Sequence, residues 1–167
     1  MSEFEIREAR PDEVTAVGLL TVDAYRASGY LAGEGSYALT LADAAPRSRE
    51  AELLVAVDAD GTLLGTVTVA PPGSPWSQVA APDELEFRML AVSAAARGRG
   101  IGEALTRAVL DRAAELGLPG VTLSSSEEMT AAHRLYERLG FYRTPAQDWQ
   151  PAEDVHLLTY RLDLPAR

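Results

Sequence analysis

Three glycines within five residues (Gly98, Gly100 and Gly102) separate two segments of different periodicity. An apolar run at 89–92 precedes them, and apolar residues recur at helical spacing after them. A turn without bulky side chains that leads into a helix N-terminus presents free backbone N–H groups, and these favour a bound pyrophosphate. We therefore expect a strand–turn–helix unit with an anion site at the turn. The helical stripe consists of Ile101, Leu105, Ala108, Val109, Ala113 and Leu116.

Two well-known phosphate-binding turns do not fit this segment. A Walker A loop requires Gly-Lys-Ser/Thr, and the chain contains no lysine. A dinucleotide fingerprint that begins at Gly98 requires a third glycine where Glu103 stands, and the turn starts five residues after the strand instead of immediately after it. The ligand must therefore be inferred from the surrounding sequence.

The order of the predicted elements indicates the fold class. Alternating and apolar runs predict strands, and helical periodicity with acidic starts and glycine stops predicts helices. The order predicts a mixed α/β sheet with helices on both faces. Strand alternation places Glu86, Arg88, Leu90 and Val92 on one face. The predicted elements are strands at 4–7, 53–57, 63–69, 85–92, 121–124, 141–144 and 155–162, and helices at 11–25, 37–43, 101–116 and 130–139.

Composition limits the class of protein. A chain of 167 residues suits a single domain, residues 1–167. The absence of cysteine excludes disulfides, a thiolate metal site and a cysteine nucleophile, and with two histidines we expect no metal. The chain has neither a signal-peptide pattern nor a membrane-length apolar run, so we expect a cytoplasmic protein without a membrane partner. All fifteen basic residues are arginine and asparagine is absent, which indicates a GC-rich, bacterial source.

Charge is distributed unevenly along the chain. The net charge of −10 disfavours nucleic acid as a partner. Residues 88–112 hold five arginines against two acids, a local charge of +3 that suits an anionic cofactor. The remaining charge of −13 favours a cationic substrate or serves solubility alone.

Two motifs resemble those of one family. Leu90-Ala91-Val92, followed after five residues by the Arg-x-x-Gly-x-Gly pattern of 97–102, resembles the acetyl-CoA signature of the GNAT superfamily of N-acyltransferases. Residues 132–141 resemble that family's second motif, Ala-x-x-Leu-Tyr-x-x-x-Gly-Phe. The resemblance implies the GNAT acyl-CoA N-acyltransferase fold, a mixed, mostly antiparallel central sheet of six to seven strands with helices on both faces.

The resemblance also implies a binding site for acetyl-CoA as cosubstrate. Backbone amides at 99–103 would hold the pyrophosphate, and the main chain at 90–92 would pair with the pantetheine arm beside a bulge in the strand. Met129 stands where the family often has an asparagine, and the serines at 124–126 are the alternative polar contacts. The implied contacts are Leu90, Ala91, Val92, Arg97, Gly98, Arg99, Gly100, Ile101, Gly102, Glu103, Met129 and Tyr136.

Two side chains are candidates for catalysis. Tyr136 matches the tyrosine that faces the thioester sulfur in this family, and Glu86 matches the general base of some members, with Glu84 as the alternative. A base is needed because an alkylamine of pKa about 10.4 is neutral in only about one molecule in 2500 at pH 7, a deficit of about 4.6 kcal/mol. His133 lies off the apolar stripe of its helix and is predicted to be solvated.

The resulting prediction is an N-acetyltransferase. It would transfer an acetyl group to a primary amine of a small molecule or peptide by direct attack in a ternary complex. The alternative is a GNAT-fold protein that binds acyl-CoA in a regulatory or structural role. A homodimer is compatible with either. The acceptor segments, 25–45 and 71–84, offer Tyr25, Tyr30, Glu34, Tyr37 and Trp76, a set compatible with a cationic amine.

Overall fold

The computed structural model describes residues 3–31, 35–153 and 155–165. Its elements follow the predicted order of strands and helices, with two additions described below. Short 3-10 turns lie at Pro11–Glu13, Ala94–Ala96 and Pro145–Gln147. The strands and helices are β1 (Phe4–Glu8), α1 (Val14–Ala27), α2 (Gly35–Ala42), α3 (Ala45–Glu50), β2 (Glu52–Asp58), β3 (Leu63–Ala70), β4 (Glu84–Val92), α4 (Ile101–Glu115), β5 (Gly120–Ser126), α5 (Thr130–Leu139), β6 (Tyr142–Arg143), β7 (Trp149–Ala152) and β8 (Val155–Asp163).

The strands form one sheet in the order β1-β2-β3-β4-β5-β8-β6, with β7 also paired to β8. Neighbours are antiparallel except for the parallel pair β4–β5, which confirms the predicted mixed, mostly antiparallel sheet. In the described residues the sheet has eight strands instead of six to seven. The additional strand is β7, which pairs with β8 and lies between the strands predicted at 141–144 and 155–162.

Helices cover both faces of the sheet, as predicted. On one face, Ile101, Leu105 and Val109 of α4 pack with residues of β3, β4 and β5 in the main core. On the other face, Val17 of α1 packs against the alternate residues Leu53, Val55 and Val57 of β2. Of the predicted α4 stripe, Leu116 lies just beyond the helix and is 40% exposed.

The segment before β2 contains a helix that the sequence pattern did not indicate. The predicted short helix near 37–43 corresponds to α2, and α3 follows it after two residues. Arg47 of α3 is buried, and its guanidinium donates to the carbonyls of Thr40 and Leu41 at the end of α2 at 2.7 and 3.1 Å. The arginine therefore satisfies helix-end carbonyls that would otherwise lack partners. Among the described helices, none has the length and apolar character that a membrane span requires.

Candidate active site

A bulge in β4 shapes the site. Met89 has φ of 57°, and among the described residues it is the one non-glycine with positive φ. The ladder between β3 and β4 pairs Thr68 with Arg88 and Thr66 with Ala91, so β4 carries one extra residue there. This arrangement is a β-bulge, which bends a strand and reverses its side-chain alternation.

The bulge changes which side chains share a face. Leu85 and Phe87 lie in the core beneath α4, and Leu90 and Val92 pack against that same core. Met89 packs on the opposite face with residues of α1 and α2. The prediction that Glu86, Arg88, Leu90 and Val92 lie on one face is therefore wrong, because the extra residue shifts the alternation between Arg88 and Leu90.

Just before the bulge, β4 and β5 cease to pair and diverge. Their parallel pairing joins Glu84–Glu86 to residues 120–122, and within these described strands it extends no further. On its other side β4 stays paired with β3 as far as Val92, and β5 stays paired with β8 as far as Ser126. Two facing strand edges therefore open onto a gap in the middle of the sheet.

A cleft of about 610 Å³ occupies this gap. Its wall includes seven of the predicted cofactor residues. It also includes Tyr25 and Tyr30 from the predicted acceptor segments, together with Ser28, Arg88, Ser124 and Ser125. Glu34 lies outside the described residues. The seven cofactor residues on the wall are Leu90, Ala91, Val92, Arg97, Gly102, Met129 and Tyr136.

The glycine turn lies at one end of the cleft. Gly98 and Gly100 have φ of 82° and 77°, and a side chain at either position would meet open space, so backbone conformation is what requires glycine there. The Ala104 amide donates a hydrogen bond to the Gly100 carbonyl at 3.0 Å. The amides at 101–103 precede this first i to i−4 hydrogen bond of α4. The side chain of Arg97 donates to Ser28 Oγ at 2.6 Å, which ties the turn to the end of α1.

The other predicted turn residues do not place side chains on the cleft wall. Ile101 is buried in the core, and Arg99 lies 3.7 Å from a carboxylate oxygen of Asp58. Glu103 accepts hydrogen bonds from Arg107 and Arg138, which lower the pKa of its carboxyl. The side chains of Arg99 and Glu103 line a second pocket on the outer side of the turn.

Tyr136 is held by an aromatic cluster. Its ring lies 5.8 Å from Phe87, 5.8 Å from Phe141 and 6.0 Å from Tyr160, measured between centroids. Within the described part of the chain its hydroxyl has no hydrogen-bond partner, although the residue lines the cleft. Burial raises the pKa of Tyr136 well above its ordinary value, so the hydroxyl stays protonated and available as a donor.

Glu86 is buried on the side of the sheet that carries Arg88 and is not part of the cleft wall. Its Oε1 accepts the backbone N–H groups of Gln78, Val79 and Ala80 at 2.8, 2.8 and 3.0 Å. Its Oε2 is buried and has no partner among the described residues. The carboxylate therefore anchors the loop before β4 and keeps one oxygen free.

Glu84, the alternative base, is also occupied. Its carboxylate forms an ion pair with Arg161 and accepts the Ala81 amide at 2.8 Å. Like Glu86, it contributes no atom to the cleft wall. In the described residues, no three His, Cys, Asp or Glu side chains are grouped so that they could hold a metal ion.

A polar group beside Met129 was missed by the sequence interpretation. His133 is buried, not solvated as predicted, and its Nε2 lies 3.0 Å from the Ser126 carbonyl and 3.2 Å from Ser125 Oγ. Because a carbonyl can only accept, Nε2 carries the proton. Ser125 in turn donates to Met129 Sδ at 3.7 Å at the cleft wall. Ser125 and His133 are eight residues apart across a strand-to-helix turn, and this spacing is not a pattern that predicts a contact.

The family model for the acetyltransferase (GNAT) family matches residues 19–141, which contain the bulged strand, the glycine turn and Tyr136. The chain belongs to this family. A mycothiol acetyltransferase from Nocardia farcinica is 39% identical over 90 residues, which cover 50% of this chain and 30% of the relative. A second one, from Pseudarthrobacter chlorophenolicus, is 37% identical over 115 residues. The chain spans about a third of the length of these two relatives, 30% and 33%.

Solved structures of this GNAT family share the fold over nearly the whole chain. A GCN5-related N-acetyltransferase from Kribbella flavida superposes with a TM-score of 0.67 at 26% identity, covering 97% of this chain and 98% of that one. A GNAT-family acetyltransferase from Staphylococcus aureus gives a TM-score of 0.72 at 14% identity, covering 97% and 99%. The GNAT fold predicted from the two motifs is confirmed.

Proposed function

We propose that this GNAT domain, residues 1–167, transfers an acetyl group from acetyl-CoA to a primary amine by direct attack in a ternary complex. The observation that carries the proposal is the divergence of β4 from β5 after Glu86, next to the bulge at Met89, with Tyr136 on the wall of the resulting cleft. The exposed backbone edge at 90–92 suits pairing with the amide groups of a pantetheine arm, as an added strand would pair.

The donor end of the cleft fits an anionic cosubstrate. Gly98 and Gly100 leave space beside the α4 N-terminus, and its dipole favours a pyrophosphate. Arg97 supplies a positive charge on the cleft wall. The Leu90–Ala91 amides would stabilise negative charge on the thioester oxygen, a contribution of about 3 kcal/mol in sites of this kind.

Tyr136 would donate a hydrogen bond to the departing sulfur. A thiol has a pKa near 8.5, far below that of the buried phenol, so complete proton transfer from Tyr136 to the thiolate is unfavourable. A hydrogen bond that strengthens as charge develops on sulfur avoids that cost.

Glu86 is the proposed acceptor of the amine proton, by way of a water molecule and Oε2. The support is that Oε2 is a buried carboxylate oxygen without a partner in the described structure, while Oε1 is fixed by the loop amides. A Glu86→Gln variant separates this role from the structural one. If Glu86 is the general base, the substitution should lower kcat and leave the Kd for acetyl-CoA unchanged.

The alternative, an acyl-CoA-binding protein without transfer activity, is favoured by one observation. Neither Glu84 nor Glu86 contributes to the cleft wall in the described residues. A screen of amines, peptides, aminoglycosides and amino acids with acetyl-CoA, monitored by release of free thiol, tests the two functions. Thiol release with an acceptor supports the transferase, and tight acetyl-CoA binding without release from any acceptor supports the alternative.

A further inference from the structure

The charged side chains on the cleft wall are all positive in the described structure. Among the described residues that line it, Arg88 and Arg97 are the charged ones, and no aspartate or glutamate is present. The net charge of the chain is −10, so the charge on the cleft wall is opposite in sign to that of the whole chain. A cationic acceptor would meet like charge in this cleft.

The two arginines belong to different segments of the cleft wall. Arg97 belongs to the glycine turn, where the proposed function places the pyrophosphate. Arg88 pairs with Thr68 and Val92 with Gly65, so the two residues are three ladder positions, or about 10 Å, apart along the strand. Because Leu90 and Val92 pack on the α4 side and Arg88 lies on the opposite face, the charge of Arg88 is available to the acceptor.

Arg88 has no acidic partner in the described structure. Its guanidinium lies 5.5 Å from the centroid of the Trp76 ring, and its Nη1 is 3.5 Å from the Trp76 carbonyl, a long hydrogen bond. The Glu86 carboxylate, on the same side of the sheet, directs Oε1 at the loop amides, and neither of its oxygens forms an ion pair with Arg88 in the described structure. Stacking on an aromatic face orients a guanidinium while leaving its N–H groups free for a carboxylate.

The surroundings of Arg88 reinforce the positive potential. Burial raises the pKa of Tyr25, and the charges of Arg88 and Arg47 offset part of that rise because they favour the phenolate. The Arg47 guanidinium is engaged with the Thr40 and Leu41 carbonyls, so its charge is not neutralised by a close ion pair. Asp43 also faces Arg47 but does not line the cleft.

We propose that the acceptor is an amine that also carries a carboxylate, as an amino acid does, and that Arg88 binds this carboxylate on the face of the sheet covered by α1. The inference rests on the proposed function, since it names the acceptor class of the same site. A positive charge near the acceptor nitrogen also lowers the pKa of the amine, which reduces the cost of deprotonation.

The test compares L-amino acids with their carboxamides as acceptors for the wild type and Arg88→Gln, with thiol release as the readout. We expect Arg88→Gln to raise the KM for the acids about tenfold or more and to leave the KM for the amides within about twofold. The KM for acetyl-CoA should stay unchanged. Arg88→Lys keeps the charge and should recover part of the acid preference.

Arg49→Gln is the matched control. Arg49 is exposed on α3, away from the cleft wall, so its loss removes one positive charge without touching the site. Equal effects of Arg88→Gln on acids and amides, or better turnover of amines that lack a carboxylate, would overturn this inference and leave the proposed function standing. Absence of thiol release with every amine would overturn both.

Discussion

Replacing Tyr136 with phenylalanine removes one oxygen atom and keeps the ring. In the described structure the hydroxyl has no hydrogen-bond partner, so its removal breaks no bond in the free protein. The ring contacts with Phe87, Phe141 and Tyr160 are preserved. We therefore expect the free energy of unfolding to change by less than about 0.5 kcal/mol.

The effect on the reaction should be much larger. A hydrogen bond to a charged partner contributes about 1.5–3 kcal/mol, and this one would form only as the sulfur becomes anionic. At about 1.36 kcal/mol per factor of ten, kcat should fall about 10- to 150-fold while the KM values stay near those of the wild type. Because burial keeps Tyr136 protonated, the ratio of wild-type to variant kcat should be constant from about pH 6 to about pH 9.

The assay is thiol release from acetyl-CoA, with thermal unfolding of the same samples as the stability readout. Tyr136→Ala is the contrasting variant, since loss of the packed ring should cost about 3–5 kcal/mol of stability as well as activity. Wild-type kcat in Tyr136→Phe would refute the role at the sulfur. A loss of stability in Tyr136→Phe comparable to that in Tyr136→Ala would refute the argument that the hydroxyl is unpartnered.

Two further predictions concern the turn and acid stability. Gly100→Ala should cost about 1–2 kcal/mol of stability and raise the KM for acetyl-CoA, because Gly100 has φ of 77°. Gly102→Ala should be less destabilising, because its Cβ would lie at an ordinary contact distance of 3.5 Å from Leu135 Cδ2. Equal unfolding midpoints for the two variants would contradict the backbone argument. Asp148 has its pKa lowered to about 2, chiefly by hydrogen bonds from Arg143, so its stabilising contribution is present above about pH 4 and is lost as pH falls toward 2. Asp148→Asn should therefore lower the free energy of unfolding at pH 7 by about 1–2 kcal/mol. In denaturant titrations the difference from the wild type should become small near pH 2. A difference that does not depend on pH would exclude the ionic explanation.

Much of the architecture could be predicted from local patterns. Two β-rich runs at 53–57 and 63–69 around a glycine-containing turn predicted β2 and β3, and helical periodicity after Gly100 predicted α4, because these signals lie within short segments. The helix α3 and the strand β7 were missed because their stability comes from contacts. Arg47 caps α2 from a distance, and β7 exists through its pairing with β8.

The bulge at Met89 shows why the site could be predicted only in part. Alternation assigned Arg88 and Leu90 to one face, and a single inserted residue separates them. The family resemblance implies a bulge in this strand, and the pairing with β3 gives its position. Nothing in the local sequence marks methionine for positive φ, since this conformation is imposed by the strands on either side.

The sequence by itself determined the local features of the proposed donor half of the site. The glycine spacing at 98–102 and the motif around Tyr136 fix backbone conformation and residue type within short segments, and such features do not depend on distant contacts. Only the tertiary structure decided the surroundings of the proposed acceptor half. It buried Glu86 among loop amides and left Arg88 on the cleft wall beside Trp76, because burial and charge pairing depend on segments far apart in the chain.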